Sequence, residues 1–344
     1  MNDPSIVELI KHLPEMTGPG LWLADESHHA ALPLLCSYAD RLKLISNRYD
    51  LAQHAKALGL DSAFNDWHFA EAARYNHIYL RICKEKPVNL HLLKQAFLHL
   101  EENGHLMISG EKNDGIKSLW QMATEIFQQR PHLEKHGIAY VAHFRKSADT
   151  EMLPPDDTYS SKQAIGSWAE RTIYSKPGVY GWDKIDQGSV LLIEQLPRVI
   201  AGKTHFDGIL DLGCGYGFLT LASAHLEARR RVATDNNAAA LECTAYNAEV
   251  WNLELETIAG DCGDSVTGQF DLVLCNPPFH RGFDVDSDLT RRFLTAARDK
   301  LASGGSALFV VNSFIPIEKK LSGLFRETTT LVNNKQFKVL RMIR

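Results

Sequence analysis

The ten residues Gly208-Ile-Leu-Asp-Leu-Gly-Cys-Gly-Tyr-Gly217 constrain this chain more than any other stretch. The apolar opening reads as a buried strand that ends in Asp211. Gly213, Gly215 and Gly217, at alternate positions, then demand a tight turn into a helix expected over residues 218–227. The alternation continues downstream. Residues 231–235 read as a strand, 238–251 as a helix, 253–259 as a strand and 270–275 as a further apolar strand running straight into Asn276-Pro277-Pro278-Phe279. Residues 289–301 read as a helix ended by Gly304-Gly305, residues 306–312 as a buried strand, and 328–332 with 336–342 as a closing hairpin. Such a sequence of strands and helices predicts an α/β fold around a parallel, doubly wound sheet.

The first half repeats the plan more faintly. Strands are expected at 21–25, 42–45 and 76–82, then a helix over 88–100 ended by Asn103-Gly104, then a strand at 105–109. First and third strands are about 57 residues apart here, against about 62 between Ile209 and Asp271, which reads as a duplicated fold. The copy lacks the chemistry: no glycine turn follows Asp25, and Arg81-Ile-Cys-Lys-Glu-Lys-Pro87 stands where Asn276 and its prolines stand in the second half. With 344 residues the chain has room for two domains, and the polar, proline-bearing segment 150–157 separates an expected domain 1–152 from another at 158–344.

The spacing of the glycines decides the ligand class. A dinucleotide fingerprint needs its third glycine one residue later, so a pyrophosphate grip is disfavoured. Glycine still lets the backbone approach a ligand closely, while the carboxylate of Asp211 repels phosphate and suits an amine. S-adenosylmethionine, whose amino acid part carries an ammonium group, fits both. Asp235, 24 residues after Asp211, ends the second strand, where a carboxylate can accept both ribose hydroxyls. Asp261, after the third strand, is placed to meet the adenine amino group.

Consecutive prolines after a buried strand give an extended backbone without N–H donors, so its carbonyls are free to accept hydrogen bonds in the strand-end crevice. The Asn276 side-chain oxygen and the Pro277 carbonyl can hold both hydrogens of a planar exocyclic amine, Pro278 stiffens the turn, and Phe279 can stack on the ring bearing that amine. Acceptors aligned on those hydrogens favour attack on an activated methyl group.

Composition excludes other classes. Hydrophobic residues make up 44%, enough for full cores, and no apolar run approaches the roughly 18 residues of a membrane span, so a cytoplasmic protein is expected. The six cysteines lie far apart and read as reduced thiols. His132 and His136 have helical spacing but no third ligand beside them, and no metal is expected. The net charge of -5 hides an asymmetry: residues 291–344 carry +8 and the remainder -13, which suggests that the C-terminal segment orients a phosphate backbone.

The motif pair Asp211-x-Gly-x-Gly-x-Gly and Asn276-Pro-Pro-Phe-His280 resembles that of the class I methyltransferases that modify the N2 amine of guanine in ribosomal RNA. Residues 176–189, 110–118 and 312–316 are similar to segments of the ribosomal RNA small subunit methyltransferase C family. The resemblance covers nearly the whole chain. It implies two tandem Rossmann-like domains, the first degenerate and the second a catalytic domain with a mixed seven-stranded sheet. It also implies S-adenosylmethionine as cofactor, ribosomal RNA or a ribosomal subunit as partner, and a guanine of 16S rRNA as target, with a monomer expected. Cofactor contacts carry onto Asp211, Gly213, Gly215, Gly217, Asp235 and Asp261, and amine recognition onto Asn276, Pro277 and Phe279.

Residues 319–325 and 333–339 are also similar to the sister family acting on large-subunit RNA, and Ile317 stands where the small-subunit pattern has tyrosine. Enzymes acting on adenine N6 or on protein glutamine share the Asn-Pro-Pro-aromatic element, and an RNA-binding assembly protein with a vestigial pocket is the non-enzymatic alternative.

Overall fold

The computed structural model describes residues 3–147, 158–278, 280–281, 284–285, 287–317, 321 and 323–344, and Phe279 lies outside them. The chain divides into two compact units, Met1–Ser161 and Lys162–Arg344.

In the first unit, β1 (Gly20–Ala24), β2 (Leu42–Ser46), β3 (Asp61–Phe64), β4 (Tyr75–Arg81), β5 (Leu100–Glu111), β6 (Glu134–His136) and β7 (Ala139–Arg145) form one sheet in the order β3-β2-β1-β4-β5-β7-β6. Only β7 breaks the parallel run, pairing antiparallel with both β5 and β6. His136 therefore lies in a strand, and the helical spacing read for His132 and His136 does not hold.

The second unit opens with a hairpin, β8 (Gln163–Trp168) and β9 (Arg171–Ser175), followed by the helix Gln187–Ile200. Its main sheet contains β10 (His205–Leu212), β11 (Glu227–Asp235), β12 (Glu256–Ala259) and β13 (Phe270–Cys275). After a short pair, β14 (His280–Arg281) and β15 (Asp284–Val285), come β16 (Leu301–Asn312), β17 (Glu327–Asn333) and β18 (Phe337–Ile343). The order is β12-β11-β10-β13-β16-β18-β17, and β18 is antiparallel to β16. Counted within each sheet, both orders are 3-2-1-4-5-7-6.

The two sheets share an irregularity as well as an order. Tyr75 pairs with Leu100 and His77 with His105; Phe270 pairs with Leu301 and Leu272 with Ser306. At the same place in both sheets the long strand bulges through a left-handed residue, Asn103 (φ 63°) or Gly304 (φ 77°). These residues were expected to end helices. Instead the helices stop earlier, at His99 and Lys300, and the Asn and Gly turns serve the strands.

Aligning the sheets on this bulge and following the strand pairings puts Trp22 in the place of Asp211, Ser46 in that of Asp235, Asp66 in that of Asp261 and Arg81 in that of Asn276. The first unit has closed its crevice with its own side chains. Trp22 is fully buried and stacks on Tyr79 at 5.3 Å, and Asp66 accepts a hydrogen bond from the Tyr159 hydroxyl. Arg81 is held by Asp3 at 2.8 Å and by Asp114 at 2.9 Å. Asp114 comes from the 110–118 loop, where it closes a capping box with Glu111.

In the second unit, Leu210, Leu212, Val273 and Cys275 pack on one face of the sheet, and Ile209, Leu272 and Leu274 on the other. Burial on both faces explains why β10 and β13 are unbroken apolar runs rather than alternating ones. Each buried aliphatic side chain contributes roughly 1.5–3 kcal/mol. The helix after the glycine turn is short, Phe218–Ala222, because Glu227 already begins β11. The edge strand β3 was not expected from the sequence; it is only partly buried and has little apolar signature.

Candidate active site

The site is built where β10, β11 and β13 end side by side. Asp211 is 2% exposed; its Oδ2 accepts from the Thr220 N–H at 2.9 Å and the Thr220 hydroxyl at 2.7 Å. Its Oδ1 is buried and has no hydrogen-bond partner among the described residues. Burial pushes the Asp211 carboxyl up to about 7, against the opposing effect of the Thr220 hydrogen bonds. A buried acceptor without a donor is costly, and an ammonium group supplies both the missing donor and a compensating charge.

The glycine turn is held from below. The N–H groups of Gly213 and Cys214 donate to the Thr234 carbonyl at 2.9 and 3.0 Å. At Gly215 a Cβ would meet nothing within 4 Å, so the turn leaves open space there. Gly217 is different: its φ of 87° favours glycine, and a Cβ there would crowd the Thr244 side chain at 3.0 Å. Asp235 Oδ2 accepts from the Gly215 N–H and Oδ1 from the Asn237 N–H, each at 2.9 Å.

Asp261 begins a short turn, and its carboxylate pairs with the Arg292 guanidinium. Nothing in the sequence pointed to that partner, which lies 31 residues away. An adenine amino group at Asp261 would share the carboxylate with Arg292.

Asn276 follows β13 directly, and its side-chain orientation is defined. Nδ2 donates to Asp186 Oδ1 at 2.7 Å and to Ser189 Oγ at 2.9 Å. Both amide hydrogens are thereby committed, which leaves the side-chain oxygen as the acceptor for a ligand. Asp186 is fixed in turn: it caps the helix Gln187–Ile200 through the Ser189 N–H at 2.7 Å, and its own N–H donates to the Tyr216 hydroxyl at 2.9 Å. Sequence reasoning singled out segment 176–189 without assigning these two residues a role. An Asp-x-x-Ser cap before an apolar helix was the available signal. A Ser189→Ala enzyme is expected to keep its cofactor affinity and lose about tenfold in kcat, the equivalent of one hydrogen bond. Steady-state kinetics with separate kcat and KM would check this; an unchanged kcat would remove Ser189 from the orientation of Asn276.

Asn247, fully buried, ties the site to the β8–β9 hairpin. Nδ2 donates to the carbonyls of Tyr174 at 2.7 Å and Tyr216 at 2.9 Å, and Oδ1 accepts from the Tyr174 N–H at 2.9 Å. Asn247→Leu would orphan the buried Tyr216 carbonyl and the partly buried N–H and carbonyl of Tyr174. A stability loss of about 3 kcal/mol is expected, measurable as a lower denaturant midpoint.

The basic C-terminal segment is not one phosphate-binding face. Arg292 pairs with Asp261 and Arg298 with Asp299, while Lys300 donates to the Val266 carbonyl and Arg344 to the Leu301 carbonyl. Leu301 pairs with Phe270 at the start of β13, so Lys300 and Arg344 lie at the end of the sheet away from Asn276. Lys338 is 9% exposed and donates to the Ile315 carbonyl at 3.4 Å. A charge count cannot distinguish a cation that braces its own chain from one that faces solvent.

A 3-2-1-4-5-7-6 sheet with its seventh strand antiparallel, carrying a glycine turn and acids at the ends of its first strands, defines a class I methyltransferase domain. The chain belongs to the methyltransferase small domain family, which it matches over residues 170–341, and residues 8–150 match the methyltransferase small domain N-terminal family. It is 26% identical over 345 residues to ribosomal RNA small subunit methyltransferase C of Pseudoalteromonas translucida, with 98% of each chain covered. To the enzyme of that name from Shewanella sediminis it is 28% identical over 269 residues, covering 77% of this chain and 76% of the relative. A solved structure of a T. thermophilus 16S rRNA N2 G1207 methyltransferase, in complex with AdoMet and guanosine, matches with a TM-score of 0.87 at 25% identity, covering 99% of this chain and 92% of that one.

Proposed function

We propose that this chain transfers a methyl group from S-adenosylmethionine to the exocyclic N2 amine of a guanine in small-subunit ribosomal RNA. The observation that carries the reading is the committed amide of Asn276, which presents an oxygen and not an N–H to an incoming amine. The full-length likeness to a 16S rRNA N2 methyltransferase supports the choice of guanine and of subunit.

Asp211 would hold the ammonium group of the cofactor, Gly213, Gly215 and Gly217 would leave room for its amino acid part, Asp235 would accept from the ribose hydroxyls and Asp261 from adenine. S-adenosylmethionine, when bound, supplies a methyl group made electrophilic by a positively charged sulfur. The chain's own contribution is position and charge. Asn276 Oδ1 and the Pro277 carbonyl each accept one hydrogen of the guanine amine and so turn its nitrogen lone pair out of conjugation. As that nitrogen bonds the methyl group, with the electron pair of the broken bond left on sulfur, it gains positive charge and both hydrogen bonds strengthen; one N2 proton then leaves to solvent. Pro277 and Pro278 donate nothing from their backbone, which excludes a competing N–H beside the amine. Phe279 is the proposed stacking partner of the base.

We assign residues 1–152 a scaffold or RNA-holding role, because Trp22 and Arg81 stand where the second unit has Asp211 and Asn276. The expected working form is a cytoplasmic monomer; among the described residues no helix is long and apolar enough to cross a membrane. The test is methyl transfer from labelled cofactor to separately purified small and large subunits from cells lacking the enzyme, with mapping of the modified base. Label on a small-subunit guanine N2 is the expected result. Label on large-subunit RNA, on adenine or on protein would replace the reading.

A further inference from the structure

Among the exposed large apolar side chains of the described residues, the two most exposed are Tyr180 at 81% and Phe314 at 67%. Isolated exposed apolar residues are ordinary on a protein surface. These two share three properties that such residues usually lack.

First, both stand at the end of the second sheet where Asn276 leaves β13. Phe314 lies two residues beyond β16, which runs parallel to β13 with Cys275 opposite Phe309. Tyr180 lies in a turn closed by the Trp182 N–H on the Val179 carbonyl at 3.1 Å. That turn is fastened by Asn237 Nδ2 on the Gly178 carbonyl at 2.7 Å, beside the end of β11, and its chain continues to Asp186, which holds Asn276.

Second, both are on braced backbone. Ser313 donates its N–H to the Gln336 carbonyl at 2.9 Å and its hydroxyl to the Lys335 carbonyl, while the Ile315 N–H donates to the Asn312 carbonyl at 3.0 Å. Ile315 is 1% exposed and Ile317 fully buried. Phe314 thus projects from a loop whose next residues are anchored in the core. Third, an exposed lysine occurs in the segment of each aromatic or in one bonded to it: Lys184, which follows the exposed Asp183 in the segment of Tyr180, and Lys335, whose carbonyl accepts from Ser313 beside Phe314.

We propose that Tyr180 and Phe314 are stacking platforms for unpaired RNA bases flanking the target guanine, with Lys184 and Lys335 contacting the phosphates that join them. The proposal rests on the reading of the substrate as a guanine amine. Asn276 Oδ1 and the Pro277 carbonyl require both N2 hydrogens, and Watson–Crick pairing occupies one. The target base must therefore leave its pair, and its neighbours lose a stacking partner that an aromatic side chain replaces. An exposed lysine in the segment of Tyr180 and another in the strand turn bonded to the Phe314 loop match the backbone charge of single-stranded RNA.

The test uses the full chain and two readouts. One is the affinity for a fluorescent single-stranded, guanine-containing RNA oligonucleotide in the presence of S-adenosylhomocysteine; the other is kcat and KM for methyl transfer to undermethylated small subunits. Tyr180→Ala and Phe314→Ala are each expected to weaken oligonucleotide binding about tenfold and to raise KM similarly, with unchanged cofactor affinity. Phe314→Trp should retain binding, whereas Phe314→Leu should lose as much as the alanine variant. Oligonucleotide affinity that is unaltered in the alanine variants would overturn the proposal. So would full affinity in Phe314→Leu, since an apolar face for a ribosomal protein would tolerate leucine. A wild-type chain that binds the oligonucleotide through these residues yet methylates no subunit would overturn the assigned reaction and leave the platform standing.

Discussion

An Asn276→Ala enzyme is expected to bind S-adenosylmethionine as tightly as the parent and to turn over about a hundredfold to a thousandfold more slowly, the usual cost of removing one hydrogen-bonding group aimed at developing charge. The asymmetry follows from the geometry. Asn276 is held through Asp186 and Ser189, not through Asp211 or Asp235, so its loss leaves the residues assigned to the cofactor in place. The attacking amine loses an acceptor at the moment its nitrogen becomes positive. Thermal shift with cofactor and single-turnover methyl transfer would separate the two effects. An Asn276→Ala enzyme with undiminished turnover would remove the amide from the chemistry.

Asp211 carries the second large effect, and its sign depends on pH. In the cofactor-free protein the carboxyl titrates at about 7 because it is buried, yet an ammonium ligand requires the ionised form. Cofactor affinity should therefore fall about tenfold for each pH unit below about 7, with a proton released on binding near neutrality. Calorimetry in buffers of different ionisation enthalpy would detect that proton. Asp211→Asn should flatten the pH profile and weaken binding about tenfold to a hundredfold, and Asp211→Arg should abolish it. Affinity independent of pH between about 5 and 7 in the wild type, the two units below the titration, would contradict the role given to Asp211.

The same shift acts on stability. The folded-state pKa lies above the ordinary value of 3.8, so between about 4 and 7 the native state holds a proton that the unfolded state has released. The contribution of Asp211 to stability of the cofactor-free protein consequently declines as pH rises through that window, the reverse of a salt-bridged aspartate. Bound cofactor should offset the decline by favouring the ionised carboxylate.

Local signals made the catalytic sheet legible. The Phe270–Cys275 strand has the bounds expected from its apolar run and the prolines that follow, and the closing hairpin is within a residue of its expected limits. Edge elements were harder to read: Asp61–Phe64 and Glu134–His136 bury too little to leave an apolar pattern. The duplication was visible as spacing, but its register was not. The shared bulge supplies the register: it keeps Arg81 at the place of Asn276, as expected from the sequence, and puts Trp22 rather than Asp25 at the place of Asp211.

The strand-turn-helix units, the ligand class and the residues proposed to meet it were legible locally, because glycine spacing, an acid at a strand end and paired prolines act over a few positions of chain. Tertiary structure alone decided how those residues are presented. The flip of the Asn276 amide is set by Asp186 and Ser189, 90 and 87 residues away. The raised titration of Asp211 comes from a core that packs around it, and the Arg292 partner of Asp261 arrives on a different helix. Hydrogen bonds and desolvation act through space, so side chains distant in sequence set the charge and orientation of groups whose identity the local motif had already declared.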